Sequence, residues 1–552
     1  MRTSKLCSGG KGIFLRHGKQ LLRCLPLVGM LFATSSVNAT DSPGVKFNSG
    51  VRYSQWAINS RTNDFYANTT SFGLATYNAD GSVLKKRNDT KKQLDYVPGL
   101  VSKSIIEAAD YYQDFDWSKP WFLTVKEYGD TYCNDVENTG ESFDNLNATK
   151  LYIGIYNNNK YATDVDKSNA KTALASVKTG LINANKTYVI STGTLAEKAG
   201  NEVAGGWWHK KIYKNQMWLD GAYMGSALLA QLTKFYGSSD NVFGSKQADW
   251  DMVTKQMNIV WNMCWNSNDK LLYHAFEANA GTETTNSHAE TWAGLSAKEP
   301  YVFHSQSYWG RANAWYLMAL VDVLEAMDNA EQKNTVNYTT LKQHLADLAA
   351  GIAARQDAKT GGWYQVMDKD GSLNATSYNS NWKGKPESAT NYIETSATAI
   401  FSAAYFKAVR LGLLSSTTQY DYKTIAKNAF EGLVNNFVNT DNGDFHIWGS
   451  CRSAGLGGDK DNSKAGGEKF RDGSNAYYLL GYDVPMVKKD ENITEGKVLG
   501  GFIMAATEYE RAYQNQNQES KQILFAKDLA PNYDFSTTAG PLDATAYGTG
   551  AE

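Results

Sequence analysis

The stretch NAWYLMALVDVLEAM, residues 313–327, carries apolar side chains three or four positions apart. These side chains are Leu317, Leu320, Val321, Leu324 and Met327. Residues at that spacing share one face of an α-helix, so the stretch predicts a helix with one buried face. The same spacing recurs past about residue 96, and no series of alternating polar and apolar strands accompanies it. The chain is therefore predicted to be all-α.

The number of helical segments indicates how the helices are arranged. Strong segments are predicted at residues 98–113, 119–130, 144–156, 167–183, 221–236, 246–265, 312–328, 338–356, 391–412, 422–438 and 498–514, with a weaker one at 473–481. About twelve helices can pair into six αα-hairpins, and six hairpins can close into a ring of inner and outer helices. An α-solenoid is the alternative, but the sequence has no fixed-period repeat of the tetratricopeptide or HEAT kind.

The first 39 residues are typical of a secretory signal. Six basic residues and no acidic residue accompany the short apolar run LPLVGMLFATSSV, and Val37-Asn38-Ala39 fits a small-x-small cleavage site. A retained membrane anchor is the alternative, although the run is short for a permanent span. We expect residues 1–39 to be removed and the protein to be secreted or periplasmic, with no membrane association after cleavage.

The remaining chain divides into three predicted parts. Residues 40–90 show little periodicity and are expected to form an irregular N-terminal arm. Residues 91–530 contain the predicted helices and are expected to form the ring of hairpins as one domain. The last part, residues 531–552, has the small and polar composition of a loosely packed tail.

Charge and cysteine content exclude several classes of function. Removing the six basic residues of the signal changes the formal net charge from −2 to −8, which disfavours nonspecific binding to nucleic acid or to anionic membranes. The remaining cysteines, Cys133, Cys264 and Cys451, are too widely spaced for a disulfide framework or a CxxC metal site. We expect no metal, no cofactor and no nucleic-acid partner.

Two aspartates stand at predicted helix starts. Asp220 ends the stretch WWHKKIYKNQMWLDG at residues 207–221, in which three tryptophans, one histidine and three lysines precede it. Asp144, in SFDNLNATKLYIGIY, has the same placement. Each residue could simply cap its helix, because aspartate is a favourable N-cap residue. Alternatively, the two acids meet at one end of the ring and perform acid–base chemistry.

A second group of residues suits an acidic sugar. In SYWGRANAWYLMAL, residues 307–320, an arginine lies between two tryptophans, at Trp309, Arg311 and Trp315. Indole faces stack on sugar rings, and a guanidinium binds a carboxylate through two hydrogen bonds. An arginine stacked on core tryptophans is the structural alternative. His209, Lys210 and Trp218 add donors and an aromatic ring beside Asp220, and His274 lies on a later loop.

Ordered motifs along the chain carry a family resemblance. They read WWHKKIYKNQMWLDGAYM, SYWGRANAWYLMALVDVLEAM, GGWYQVMD with NYIETSATAIFSAA, and AGLGG followed by FRDGSNAYY and GGFIMAATEYE. On these motifs the chain resembles glycoside hydrolase family 105, the unsaturated rhamnogalacturonyl hydrolases, which are related to the family 88 unsaturated glucuronyl hydrolases. The likeness extends from about Tyr96 to Glu510.

The resemblance implies an (α/α)6 barrel, in agreement with the ring of hairpins. It also implies an enzyme that removes a 4,5-unsaturated uronic acid from the non-reducing end of lyase-generated oligosaccharides by hydrating the C4=C5 bond. The aspartate corresponding to Asp220 protonates C4 and then activates the water that adds at C5, and Asp144 is the second acidic residue. By the same resemblance the sugar subsite is lined by Tyr96, His209, Lys210, Trp218, His274, Trp309, Arg311 and Trp315.

Pectin rhamnogalacturonan is the substrate that the resemblance favours, and ulvan, arabinogalactan or glycosaminoglycan fragments are the alternatives. Three further functions stay open at this point. They are a polysaccharide lyase on a similar helical toroid, a conventional inverting hydrolase that uses Asp144 and Asp220, and a non-catalytic glycan-binding protein. The expected partner is an unsaturated oligosaccharide, and the protein is expected to be a monomer or a weak oligomer.

Overall fold

The structure is a computed structural model that describes residues 47–517, apart from 90–91, 137–139, 281–291, 295–301, 379–385, 442–443 and 459–468. The predicted signal at residues 1–39 and the predicted tail at residues 531–552 lie outside the described residues.

Helices dominate the described residues. In chain order they are α1 Tyr53–Arg61, α2 Tyr96–Tyr111, α3 Lys119–Tyr132, α4 Phe143–Asn147, α5 Lys150–Asn157, α6 Asp164–Thr187, α7 Leu195–Lys198, α8 Leu219–Gly221, α9 Ala227–Tyr236, α10 Lys246–Cys264, α11 Gly310–Ala326, α12 Ala330–Lys333, α13 Val336–Ala353, α14 Thr395–Arg410, α15 Tyr422–Phe437, α16 Asn475–Leu480 and α17 Gly496–Tyr513. A π-helical turn, Ala222–Ser226, joins α8 to α9. Each of the twelve segments expected from the sequence is helical in the structure, with ends that shift by a few residues.

Six of these helices form a closed inner ring. Each of α2, α5, α9, α11, α14 and α17 packs against the next, and α17 returns to α2. Their outer partners are α3, α6, α10, α13, α15 and α1, respectively. The molecule is therefore an (α/α)6 barrel, as the sequence predicted. Because each outer helix reverses the chain direction, the inner helices run the same way and their N-terminal ends gather at one end of the barrel, called the site end below.

The N-terminal arm differs from the expectation. Residues 40–90 were predicted to be irregular, but α1 lies within them and packs against α17 as the outer helix of the sixth pair. Polar and apolar residues do not separate onto opposite faces of α1, because polar side chains such as Ser54 and Arg61 are buried along with Trp56. An amphipathic pattern was therefore absent from the sequence. The arm is part of the barrel wall.

One predicted helix is broken in the structure. The segment at residues 144–156 divides into α4 and α5 around Thr149. The hydroxyl of Thr149 donates to the carbonyl of Leu146 at 2.5 Å, and its N–H donates to the same carbonyl at 3.0 Å. Such local bonds compete with the regular helical pattern and favour a turn. The break directs α4, which carries Asp144, to the site end.

Short antiparallel pairs of strands lie in the segments that connect the helices of the barrel. They are β1 Phe65–Ala67 with β2 Thr70–Phe72, β3 Thr76–Tyr77 with β4 Val83–Lys85, β5 Gln216–Trp218 with β8 Ala275–Glu277, β6 Trp265–Asn266 with β7 Leu271–Leu272, β9 Asn374–Ala375 with β10 Ala389–Thr390, and β11 Val438–Asp441 with β12 Asp444–Ile447. Strands of two to four residues are too short to produce a visible alternating pattern. The pair β5–β8 is the one that builds the candidate site.

The inner ring is tightly packed. A side chain at Gly500 would meet Leu100 of α2 at 2.8 Å, and one at Gly501 would meet Ile400 of α14 at 3.0 Å. The two glycines of the GGFIMAATEYE motif thus let α17 approach both of its neighbours. Among the helices of the described ranges, none has the length and hydropathy needed to cross a membrane.

Candidate active site

Strand pairing brings Asp220 next to His274. In the pair β5–β8, Trp218 lies opposite Ala275, and the N–H of Leu219 donates to the carbonyl of His274 at 3.0 Å. Asp220 follows directly in α8. The residue at the N-cap of α8 is Trp218, so the suggestion that Asp220 caps this helix is wrong. The Asp220 side chain is therefore available to interact with the other side chains of the candidate site.

Asp220, His274 and Tyr478 form a chain of polar groups. Asp220 Oδ2 lies 3.2 Å from His274 Nε2, although the two atoms are not aligned as a hydrogen bond. On the other side of the ring, His274 Nδ1 hydrogen-bonds the hydroxyl of Tyr478 at 2.7 Å. Burial lowers the pKa of His274, and the nearby Asp220 raises it only in part. The imidazole is therefore neutral at neutral pH.

A second local pairing positions Asp144. Residues Ser142 and Lys210 form an isolated antiparallel bridge, and the N–H of Phe143 donates to the carbonyl of His209. As a result Asp144 Oδ1 lies 3.2 Å from His209 Nε2, and Oδ2 lies 2.5 Å from Lys210 Nζ. The N-cap of α4 is Ser142, so a capping role is wrong for Asp144 as well.

The two aspartates differ in their electrostatic surroundings. Burial alone would raise the pKa of Asp144, but the charges and hydrogen bonds of Lys210 and His209 outweigh it and hold that pKa well below its usual range. Burial lowers the pKa of Lys210, whereas Asp144 and, more weakly, Asp220 raise it, and the pKa is raised overall. Asp144 is thus a fixed carboxylate, and Lys210 feels the charge of both aspartates.

Trp218 is covered by other aromatic rings. It stacks on Tyr213 at 4.7 Å between ring centroids and on His209 at 5.2 Å, and His274 meets it edge-on at 5.2 Å. Only 4% of Trp218 is exposed. Its indole therefore packs on protein rings, and it fixes the orientation of both histidines of the site. Tyr213, which is half-buried, is the outer ring of this stack.

Arg311 is anchored from within the protein. One guanidinium nitrogen, Nη1, donates to the Cys451 carbonyl at 2.7 Å and to Ser396 Oγ at 3.1 Å, and it lies 3.6 Å from Glu394 Oε1. The side chain also lies over the ring of Trp309, 4.6 Å from its centroid. Within the described part of the chain, Arg311 Nε is buried without a hydrogen-bond partner.

The two tryptophans that flank Arg311 occupy different places. Trp309 lies 4.7 Å from the ring of His274 and donates through Nε1 to Gln365 Oε1 at 3.0 Å, so it adjoins the Asp220 chain. Trp315 is 1% exposed and stacks on Tyr223 at 4.9 Å inside the barrel. The contacts of Trp315 thus place it in the core, and no contact brings it to either aspartate among the described residues.

Tyr96 stands at the start of α2, half-buried, near Asp144. Burial raises the pKa of its phenol, and the charge of Asp144 raises it further, while Arg311 opposes this. The phenol therefore lies within electrostatic reach of both residues. Tyr96 thus extends the site from the aspartates toward Arg311.

Several site residues were not singled out from the sequence. They are Tyr213, Glu394, Tyr478, Glu495 and Lys497, together with Asn68 of the N-terminal arm. Tyr213, Glu394 and Tyr478 lie inside the quoted motifs, but no charge pattern or spacing distinguished them from their neighbours. Over the described ranges, no group of three or more His, Cys, Asp or Glu side chains is arranged to hold a metal ion.

Comparison with known proteins identifies the family of the chain. The family model described as Glycosyl Hydrolase Family 88 matches residues 75–513. Protein Atu3128 of Agrobacterium fabrum is 32% identical over 223 residues, which are 40% of this chain and 76% of that protein.

Solved structures show the same fold. A family 105 glycoside hydrolase of C. acetobutylicum is 27% identical, with a TM-score of 0.55 over 76% of this chain and 94% of that one. A possible family 105 member of Klebsiella pneumoniae is 18% identical, with a TM-score of 0.50 over 84% and 92% of the two chains. The chain belongs to glycosyl hydrolase family 88, with family 105 enzymes among its structural relatives, and it is a glycoside hydrolase.

Proposed function

We propose that this protein is an exported enzyme that removes a 4,5-unsaturated uronic acid from the non-reducing end of lyase-generated oligosaccharides, with pectin rhamnogalacturonan as the source of the substrate. The observation that carries the proposal is the unequal environment of the two aspartates. Lys210 and His209 hold Asp144 as a carboxylate, whereas Asp220 faces the neutral ring of His274. One carboxylate is paired with a lysine, and the other lies beside a neutral ring.

In the proposed reaction Asp220 acts twice. As an acid it donates its proton to C4 of the enol ether, and the ring oxygen stabilises the positive charge that develops at C5. As a carboxylate it then accepts a proton from the water whose oxygen adds at C5. The hemiketal collapses, which releases the adjoining sugar and a keto acid. Asp220 recovers its proton within one turnover, so no second proton carrier is needed.

His274 suits both protonation states of Asp220. When Asp220 is ionised, the Nε2–H of a neutral imidazole faces its oxygen, and Nδ1 accepts from the hydroxyl of Tyr478. When Asp220 is protonated, the other tautomer accepts from Asp220 at Nε2 and donates through Nδ1 to the Tyr478 oxygen. A neutral His274 therefore supports proton exchange at Asp220 without acquiring a charge, and Tyr478 fits either tautomer.

The other residues have positioning roles in this proposal. Asp144, held by Lys210, provides a fixed negative charge beside the cation that forms at C5. Arg311, with its unpartnered Nε, provides a donor for the carboxylate of the uronate. Trp309 packs on Arg311, Tyr96 lies within electrostatic reach of it, and Lys210 supplies a further donor. Trp218 acts through His209, on which it stacks, and through His274, which meets it edge-on.

A panel of lyase-generated oligosaccharides tests the proposal. The enzyme should abolish the ultraviolet absorbance of the conjugated double bond, and it should act fastest when rhamnose follows the unsaturated residue. Fragments of ulvan, arabinogalactan and glycosaminoglycans give the comparison, and saturated oligosaccharides of the same composition are the control. Rising absorbance on intact pectin would identify a lyase instead, and cleavage of the saturated control would identify a conventional hydrolase.

A further inference from the structure

The hairpin β1–β2 of the N-terminal arm reaches the site end of the barrel. The N–H of Tyr66 in β1 donates to the carbonyl of Thr494 at 2.9 Å, and Tyr66 forms a parallel bridge with Glu495, the N-cap of α17. The strands pair with Ala67 opposite Thr70, so Asn68 begins a two-residue turn. The arm thus presents its turn to the first residues of an inner helix.

Asn68 holds a backbone conformation that few side chains adopt. Its φ angle is +60°, in the left-handed region. Asparagine and glycine tolerate this region better than other residues, and a residue kept there at some cost in energy often has a local role. The turn fixes where the Asn68 side chain points.

The Asn68 amide oxygen joins two side chains of the site. It accepts a hydrogen bond from Lys497 Nζ at 2.8 Å, and the hydroxyl of Tyr96 lies 3.5 Å from it. Lys497 is 1% exposed and forms an ion pair with Glu495 at 2.5 Å. An ammonium group has three donors, and among the described residues Asn68 and Glu495 are its two hydrogen-bond acceptors.

The same group of side chains lies near the residues proposed to bind the substrate. The ring of Tyr96 lies 5.7 Å from Lys497 Nζ, and Tyr96 is close enough to Asp144 for their charges to interact. Arg311 interacts electrostatically with Lys497 and Glu495 as well. The group therefore lies within electrostatic reach of Arg311 and, through Tyr96, of Asp144. We call it a wall of the proposed site, and the arm contributes Asn68 to it.

We propose that Asn68 is a positioning residue for the substrate: its amide oxygen holds Lys497 and Tyr96 in this wall, and Lys497 uses its remaining N–H to bind a hydroxyl of the sugar. A hydroxyl is the suitable partner because Glu495 already neutralises the charge of Lys497. The inference rests on the proposed function, since the sugar in question is the unsaturated uronate or the residue attached to it.

Two substitutions at Asn68 separate the role of its side chain from the role of its backbone conformation. Asn68→Gly keeps the left-handed turn and removes the amide oxygen, whereas Asn68→Asp keeps an acceptor oxygen at the same place. We expect Asn68→Gly to raise KM about tenfold with kcat within about threefold of the wild type, because a hydrogen bond to a charged donor is lost. Asn68→Asp should keep KM within about threefold. Both variants should melt within a few degrees of the wild type.

A matched control lies in another left-handed turn. Asn492 has a φ angle of +50°, is exposed, and accepts from the Asn439 amide at 3.3 Å. Asn492→Gly is the same substitution outside the proposed wall and should leave both kcat and KM unchanged.

The kinetics are measured as loss of ultraviolet absorbance on one unsaturated disaccharide. An unchanged KM for Asn68→Gly, or an equal rise in KM for Asn68→Asp, would overturn the role of the amide oxygen. A large fall in Tm for Asn68→Gly would overturn it too, because the amide would then be an element of the fold. If the wild type leaves the absorbance untouched, the proposed function itself fails, and this outcome is distinct from the others.

Discussion

Each end of the barrel places a carboxylate beside basic side chains, yet the two ends differ in how completely that carboxylate is paired. At the end opposite the site, Asp322 of α11 is 1% exposed, with Lys407 Nζ at 2.7 Å and Lys103 Nζ at 3.8 Å. At the site end, Asp220 lies 3.2 Å from His274 without hydrogen-bond alignment. Two lysine ammonium groups surround Asp322, whereas Asp220 Oδ2 has no aligned hydrogen bond within the described residues.

The end of the barrel opposite the site also has a cavity. A cavity of about 570 Å³, lined by charged residues that include Lys103, Asp322 and Lys407, opens at the end opposite the site. Burial would raise the pKa of Asp322, but its lysine neighbours hold it well below the usual range. A carboxylate held in this way cannot donate a proton near neutral pH. Incomplete pairing therefore distinguishes Asp220, at the proposed active site, from Asp322 at the opposite end.

The largest effect is expected for Asp220→Asn. The amide has nearly the same shape but cannot donate and then accept the proton, so kcat should fall by about 10³–10⁴-fold. Circular dichroism and Tm should match the wild type, because Asp220 caps no helix. A variant that retains more than a tenth of the wild-type kcat would contradict the assignment of Asp220 as proton carrier.

Asp322→Asn should affect stability instead of catalysis. Removing this carboxylate leaves Lys407 with Glu325 and Lys103 with Glu107, both more exposed than Asp322, as their remaining partners. We expect a cost of about 3 kcal/mol in the free energy of unfolding. Urea denaturation measures this loss, and kcat of the folded fraction should equal that of the wild type. Normal stability together with a reduced kcat would indicate that Asp322 takes part in catalysis, at the end of the barrel opposite the proposed site.

Asp144→Asn should reduce kcat by about 10²-fold, since a fixed negative charge beside the developing cation is lost.

Asp144→Asn should also change how the free energy of unfolding depends on pH. The folded pKa of Asp144 lies below its unfolded value, so its contribution is present above about pH 4 and is lost as pH falls. The free energy of unfolding should therefore decline less for the variant than for the wild type on acidification. Parallel declines would show that Lys210 does not hold Asp144 ionised.

The smallest effect in this series is expected for Tyr478→Phe. Losing the hydroxyl on His274 Nδ1 should lower kcat about tenfold and leave KM nearly unchanged, because His274 loses the partner that fits either tautomer. The matched control is Tyr316→Phe, which removes another buried hydroxyl, bonded to the Met257 carbonyl at 2.9 Å. Equal kcat values for the two variants would argue against a role for Tyr478 beyond packing.

The sequence predicted the barrel because apolar spacing is a local signal that survives in each helix. It missed α1 because polar and apolar side chains of this helix are buried together, so no amphipathic pattern marks it. Asp220 and His274 were identified by residue type and resemblance, but their contact depends on the pairing of β5 with β8, two strands of three residues each. Such pairing is fixed by the barrel and leaves no pattern in either strand.

Long-range contacts of the site left no signal in the sequence for a similar reason. Asn68 and Lys497 are 429 positions apart and meet only because the arm closes the ring. Trp315 shows the opposite case. Its spacing from Arg311 suggested that it lines the sugar subsite, but in the structure it stacks on Tyr223 inside the barrel. Residue spacing identifies a helix face, but it does not show at which height along the barrel that face opens to solvent.

The most direct test of hydration at the double bond follows two signals in one reaction. A lyase-generated unsaturated disaccharide is incubated with the wild-type enzyme, and the ultraviolet absorbance and the release of the adjoining sugar are recorded together. If Asp220 protonates C4 and water adds at C5, the absorbance disappears in step with sugar release, and Asp220→Asn abolishes both. Release of the sugar while the absorbance remains would contradict this mechanism.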